Sequence, residues 1–186
     1  MKKTLITLSL VFISAVAFGQ AAVGIGLKGG ANFANADVAD VNTDGVTSYH
    51  LGAYGLIKLA NIGIQPELLF SKQGTSASGD DLDLSYVNIP VMLKFYLPAG
   101  LNLQAGPQFG MLTSAKDGDG DDIKESFKNS DLSAALGAGW DAPFGLQFTA
   151  RYVIGLSDIN DEALGGEFKN KTFQLSIGYT LFKLGN

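Results

Sequence analysis

The sequence predicts an all-β protein: a closed, up-and-down antiparallel transmembrane β-barrel of about eight strands. Three observations carry this prediction. Apolar residues alternate with small or polar ones, short and long connections alternate along the chain, and acidic residues avoid the strands. After residue 20, no segment keeps helical periodicity over the length that a helix needs.

The N-terminal segment has the pattern of a secretory signal peptide. Two lysines precede an apolar stretch over residues 5–18, and Ala17 and Gly19 are the small residues that a signal peptidase reads. The stretch is shorter than the roughly 20 residues of a membrane-spanning helix. We therefore expect a cleaved signal peptide over residues 1–19 and one exported domain over residues 20–186.

Charge and cysteine content exclude several classes of protein. Without the signal peptide the chain keeps 11 Lys and Arg against 18 Asp and Glu, a net charge of 11 − 18 = −7. Nucleic-acid binding is not expected, because it depends on neutralising phosphates with cations. The chain has no cysteine, which excludes lipid acylation at the cleavage site and disulfides.

Eight segments alternate as strands do. They lie near residues 22–33, 48–59, 62–73, 84–97, 101–112, 131–142, 146–156 and 171–182. The first and second segments are predicted as strands from this alternation alone. The third, fifth and seventh each follow a tight turn. The fourth and eighth have one strongly apolar face, and the sixth has one face of very small residues.

The connections between these segments are of two lengths. Short turns lie at residues 60–61, 98–100 and 143–145. Long polar segments lie at residues 34–47, 74–83, 113–130 and 157–170. In an up-and-down barrel successive connections fall on opposite rims, so the sequence predicts one rim of tight turns and one rim of long loops, as in outer-membrane barrels.

Acidic residues collect at the predicted loop rim. Fifteen of the 18 acids lie in or beside the long segments: Asp37, Asp40, Asp44, Asp80, Asp81, Asp83, Asp117, Asp119, Asp121, Asp122, Glu125, Asp158, Asp161, Glu162 and Glu167. Only Glu67, Asp131 and Asp141 fall within predicted strands. A soluble barrel has no reason to keep charge off its outer face so completely.

The direction of the apolar face separates a membrane wall from a lipocalin-like pocket. On the last strand one face carries Phe173, Leu175, Ile177, Tyr179 and Leu181. The size of the side chains on the sixth strand decides the direction, because its polar side is uniformly small: Ser133, Ala135, Gly137 and Gly139. Small residues are expected inside a narrow eight-stranded lumen, so the apolar face is predicted to face lipid.

Five segments are specific when they are taken together in order: residues 26–33 (GLKGGANF), 65–74 (QPELLFSKQG), 86–96 (YVNIPVMLKFY), 105–110 (AGPQFG) and 150–156 (ARYVIGL). They resemble the small porin-family outer-membrane β-barrel domain, including PorT-like and OmpX- or OmpA-like barrels. The resemblance implies residence in the outer membrane, contact with its lipid and lipopolysaccharide, and insertion by the assembly machinery. Barrels of this type often end on an aromatic residue that is recognised during assembly. This sequence departs from that pattern, because residues 183–186 follow the aromatic Phe182.

Four residues are predicted to form a polar network in the lumen: Tyr54, Glu67, Lys94 and Arg151. Their side chains fall on the polar faces, and Glu67 and Arg151 lie at similar height above the short turns. Charges in a narrow space of low dielectric need partners. We expect an internal network that fills the lumen; a selective conduit lined by the same groups is the alternative.

Two other patterns were weighed as functional sites. Asp117, Asp119 and Asp121 form a weak calcium candidate, which fails the EF-hand pattern at its sixth and twelfth positions. His50 is the only histidine, and no triad partner follows from the sequence. We expect no catalysis, no metal site and no cofactor.

The function predicted from these features is a non-enzymatic outer-membrane barrel with an envelope or surface-interaction role through acidic external loops. Two alternatives remain open. One is a porin-like or secretion-accessory channel, which would have a protein partner in a secretion complex. The other is a soluble periplasmic lipocalin-like binder.

Overall fold

A computed structural model shows a closed antiparallel barrel of eight strands, which confirms the predicted fold class. It describes residues 21–36, 46–77, 80–116, 130–156 and 170–185. The strands are β1 (Ala21–Ala36), β2 (Val46–Leu59), β3 (Ile62–Ala77), β4 (Asp80–Tyr96), β5 (Leu101–Lys116), β6 (Ser130–Asp141), β7 (Leu146–Gly155) and β8 (Asn170–Gly185). Each strand pairs with its sequence neighbours, and β1 also pairs with β8, which closes the barrel. No helix in the described ranges has the length and apolar character of a membrane span.

Several strands extend beyond their predicted ends, and one predicted long loop is wrong. The segment over residues 74–83 was expected to be a long polar connection. Instead β3 continues to Ala77 and β4 begins at Asp80, with Gly74 paired to Asp83. Asp80, Asp81 and Asp83 are therefore strand residues. Backbone pairing does not require apolar side chains, so two strands can continue as a polar hairpin past an apolar wall.

The alternation of side chains is inverted relative to a soluble barrel. Residues on the outer face are large, apolar and exposed, including Phe70, Leu93, Leu136 and Ile177. The lumen instead holds amides, hydroxyls and charges, with a small apolar cluster of Met92, Ala135 and Val153 among them. A lipocalin-like pocket would need the apolar faces inside, so that alternative is wrong.

The three short connections lie at one end of the barrel, which we call the turn rim; the opposite end is the loop rim. At the turn rim Gly100 and Gly145 have φ angles of +80° and +89°, a conformation that glycine adopts without steric cost. A Cβ at Gly100 would overlap the carbonyl oxygen of Asp141. Trp140 donates its indole N–H to the carbonyl oxygen of Ala99 at 2.9 Å, which ties the β4–β5 turn to β6.

A β-bulge in β8 changes the direction of its last side chains. Ile25 pairs with Phe182 and Gly26 pairs with Thr180, so Leu181 is the extra residue. Leu181 and Phe182 are consequently both exposed on the outer face. Lys183 pairs with the buried, lumen-facing Gly24 and therefore lies on the lumen side of the turn rim.

Leu175→Arg is expected to lower the free energy of unfolding by about 2–4 kcal/mol, because Leu175 is exposed near the middle of β8 and the charge would meet the bilayer interior. Leu184→Arg, the same substitution on the same strand at the turn rim, should cost only about 0–1 kcal/mol. Urea titration of the barrel folded in phospholipid vesicles measures both. Equal costs would show that the two positions lie at the same depth.

Candidate functional site

An ion pair crosses the lumen at its middle. Arg151 on β7 donates from Nη1 to Oε2 of Glu67 at 2.7 Å and from Nη2 to Oε1 at 2.6 Å. Both residues are almost fully buried, with 1% and 3% of their surface exposed. Since β3 and β7 are four strands apart in a barrel of eight, this bidentate contact joins opposite walls.

Two more side chains complete a middle layer around this pair. Lys28 on β1 donates to Oε1 of Glu67 at 3.1 Å. Gln104 on β5 accepts through Oε1 from Nε and Nη2 of Arg151 at 2.9 and 2.7 Å. The middle layer therefore links β1, β3, β5 and β7, which are alternate strands around the whole barrel. Connected side chains occupy the width of the lumen at this height.

A second layer, closer to the turn rim, surrounds the carboxylate of Asp141. Lys94, which is fully buried, donates to both of its oxygens at 2.9 Å. Tyr96 donates its hydroxyl to Oδ2 at 2.7 Å, and Asn102 donates to Oδ1 at 3.1 Å. The amide of Gln65 joins this layer to the middle layer, because it accepts from Lys94 at 3.1 Å and donates to Glu67 at 2.7 Å.

Glycines on β6 provide the space that these long side chains occupy. A Cβ at Gly137 would lie 2.8 Å from Cγ of Arg151 and also overlap the carbonyl oxygen of Ala150. A Cβ at Gly139 would lie 2.8 Å from Nε2 of Gln104. The small residues recognised in the sequence are thus the counterpart of the large polar residues on β5 and β7.

A third layer lies on the loop-rim side, around His50. Its Nε2 is 2.9 Å from Oγ of Ser176, and its Nδ1 is 2.8 Å from Oδ1 of Asn32. Asn32 in turn donates to Oγ of Ser71 at 2.9 Å. His50 and Ser176 both pair with Gly30, one from each side, so the imidazole crosses β1 at a residue without a side chain.

The Ser176–His50–Asn32 arrangement has the contacts of a nucleophile, a base and an orienting group. Sequence reasoning missed it, because Ser176 is 126 residues away from His50. The three residues are nearly closed to solvent, with exposed fractions of 6%, 2% and 0%. A substrate carbonyl would have to contact Oγ of Ser176, and Ser176 exposes little surface to receive one.

No group of three His, Cys, Asp or Glu side chains in the described ranges is arranged to hold a metal ion. The weak calcium candidate of the sequence, Asp117, Asp119 and Asp121, lies outside the described residues. So does the expected signal peptide.

The structure brings three of the four predicted lumen residues into connected layers. Glu67 and Arg151 contact each other, and Lys94 joins them through Gln65. Tyr54 is also in the lumen, but its hydroxyl contacts Oγ1 of Thr180 at 2.8 Å rather than the ion pair.

Two charged members of these layers were missed by sequence reasoning. Lys28 lies in a glycine-rich segment, and Asp141 lies at the end of a strand beside a turn. Both could have been identified from the strand face on which they lie. Lys28 alternates with Gly26 and Gly30, and Asp141 alternates with Gly137 and Gly139, so each shares the lumen face with glycines.

Residues 4–180 match the family described as the outer membrane protein beta-barrel domain. The chain belongs to this family. Outer-membrane barrels have a polar interior and an apolar outer band, as this barrel does.

Two solved structures show the same fold. The crystal structure of Ail, the attachment invasion locus protein of Yersinia pestis, was determined in complex with the heparin analogue sucrose octasulfate. It is 16% identical with a TM-score of 0.53 and covers 87% of this chain and 99% of its own. Neisserial surface protein A is 12% identical with a TM-score of 0.60 and covers 86% of this chain and 99% of its own. No curated protein matches the sequence.

In this outer membrane β-barrel, Glu67→Gln is expected to cost about 3–5 kcal/mol of unfolding free energy, because it leaves the buried cations of Lys28 and Arg151 without their carboxylate. Ser71→Ala, which leaves the buried amide N–H of Asn32 without its acceptor, should cost only about 1–3 kcal/mol. Urea titration in vesicles compares them. Equal losses would show that the ion pair contributes no more than a neutral bond.

Proposed function

We propose that this protein is a non-conducting, non-enzymatic barrel that acts as an outer-membrane scaffold and presents its acidic loop rim for surface interactions. The observation that carries the proposal is the middle layer, in which Lys28, Glu67, Arg151 and Gln104 connect four alternate strands across the lumen. The burial of Ser176, His50 and Asn32 supports the absence of hydrolysis.

A closed lumen follows from the energetics of these contacts. An ion that entered the barrel would have to separate Glu67 from Arg151, which is paired through two bonds at 2.6 and 2.7 Å. Breaking a buried pair costs about 3–5 kcal/mol, since each charge is left uncompensated in a medium of low dielectric. Permeation through the native lumen is therefore expected to be rare.

In planar lipid bilayers the wild-type protein is expected to give no large, stable open channels. The triple variant Lys28→Ser, Glu67→Ser and Arg151→Ser removes every charge of the middle layer and should give measurable conductance, because small hydroxyl side chains leave room for water. Leu175→Ser, on the outer face, is the control and should stay closed. Stable openings of the wild type would favour the porin-like or secretion-accessory channel, including a PorT-like role.

The orientation of the barrel belongs to the same proposal. Outer-membrane barrels have short turns on the periplasmic side and longer loops outside. With the turn rim in the periplasm, the acidic loop rim lies at the cell surface. There the loops contact lipopolysaccharide and share its divalent cations. Residues 1–19 act as the export signal.

The chemistry of a surface partner follows from the charge of this rim. The four segments at residues 34–47, 74–83, 113–130 and 157–170 contain 15 acids and 4 lysines, a net charge of 4 − 15 = −11. Ail was solved with a polyanion, the heparin analogue sucrose octasulfate. Polyanions should be repelled from this rim, which instead attracts cationic protein surfaces.

This choice of partner is tested with two immobilised polymers, polylysine and heparin, against the barrel in nanodiscs. Polylysine should retain the protein at low salt and release it as salt rises, whereas heparin should not retain it. Neutralising Asp117, Asp119, Asp121 and Asp122 to Asn should weaken retention on polylysine. Lys58→Gln, at the turn rim, is the control and should not. Binding to heparin that ignores the neutralisation would contradict the proposal.

A further inference from the structure

The mouth of the barrel at the turn rim holds positive charge that nothing in the described residues balances. A cavity of about 130 Å³ opens there and is lined by Lys58, Lys183, Tyr96, Asp141 and Gln147, among others. Asp141 is its one acid and is already paired with Lys94. Within the described ranges, no carboxylate pairs with Lys58 or Lys183.

Both lysines are held at the mouth by specific features of the structure. Lys58 faces the lumen side of β2, and its Nζ lies 4.3 Å from the ring centroid of Tyr96. Lys183 reaches the same cavity because of the bulge at Leu181, which reverses the alternation at the end of β8. Two ammonium groups around one cavity have the charge that an anion such as phosphate requires.

An unpartnered acceptor lines the same cavity. Gln147 is 2% exposed, and its Oε1 is buried without a hydrogen-bond partner in the described residues. Its Nε2 donates to Oδ2 of Asp141 at 3.4 Å, so Oε1 is the amide atom without a partner. A buried acceptor without a donor costs stability, so it favours a ligand with an N–H group.

The outer wall next to this mouth is apolar. The bulge places Leu181 and Phe182 side by side on the lipid-facing surface, and Phe182 is 69% exposed. Leu184 follows on the same surface. A ligand with its anion at Lys183 would therefore have acyl chains beside these three side chains, within one or two residues of the charge.

We propose that the turn-rim mouth is a binding site for a glycerophospholipid with a phosphoethanolamine headgroup. The phosphate lies between Nζ of Lys58 and Nζ of Lys183, the ammonium donates to Oε1 of Gln147, and the acyl chains lie on Leu181, Phe182 and Leu184. The cavity takes the headgroup alone. The site depends only on the turn rim meeting a lipid leaflet, so it is independent of the role proposed for the loops.

Native mass spectrometry of the detergent-folded barrel with added phosphatidylethanolamine tests the site. One lipid should be retained per barrel, and Lys58→Gln with Lys183→Gln should weaken retention by about tenfold. The double Lys→Arg variant should keep it, since the charge remains. Lys171→Gln, at the other end of β8, is the matched control and should have no effect. Unchanged retention in the double Gln variant would overturn the site.

Two further arms identify the ligand. Phosphatidylcholine with the same acyl chains should be retained less, because its trimethylammonium has no N–H for Gln147; equal retention would overturn the headgroup assignment. Soluble phosphoethanolamine should not displace the lipid at matched concentration, because it lacks the contacts with Phe182 and Leu184. Efficient displacement would show that the site serves a soluble phosphorylated amine and would overturn the lipid.

Discussion

The contact between Glu67 and Arg151 is the constraint on which the rest of the interior depends. It joins β3 to β7 across the full width of the barrel at 2.6 and 2.7 Å, so the two side chains together span the lumen. Neither charge is tolerable alone in a space closed to water, and each is therefore held by further groups. Lys28 and Gln65 satisfy the carboxylate, and Gln104 satisfies the guanidinium.

Side-chain size around the barrel follows from this constraint. A long arginine and a long glutamine need space beside them, and Gly137 and Gly139 of the adjacent strand β6 supply it. His50 crosses β1 at Gly30 to reach Ser176. The outer face has no such limit, since lipid adapts to any apolar shape, and it carries the large residues. The inverted alternation therefore reflects the limited volume of the lumen as well as its polarity.

Features set by local periodicity were predictable from the sequence, and features set by barrel geometry were not. The faces of β4, β6 and β8 and the three tight turns depend on neighbours in the chain, and they were predicted. The partners of Lys28 and His50 depend on strand tilt and on glycine gaps, which bring together residues 39 and 126 positions apart. The sequence predicts a loop at residues 74–83 because the polar residues mark the end of the apolar wall, whereas backbone pairing continues beyond it.

Charge gives the two rims different chemistry although the wall between them is uniform. Acids dominate the sequence at the loop rim, whereas Lys58 and Lys183 lie at the turn rim, and the bulge at Leu181 is what sets the second lysine there. A strand without that bulge would keep strict alternation and could not place both Leu181 and Phe182 on the lipid side while Lys183 faces the mouth. The barrel is closed by the pairing of β1 with β8, so neither rim is needed to close it. On the basis of this difference we propose surface interactions for the loop rim and binding of lipid headgroups for the turn rim.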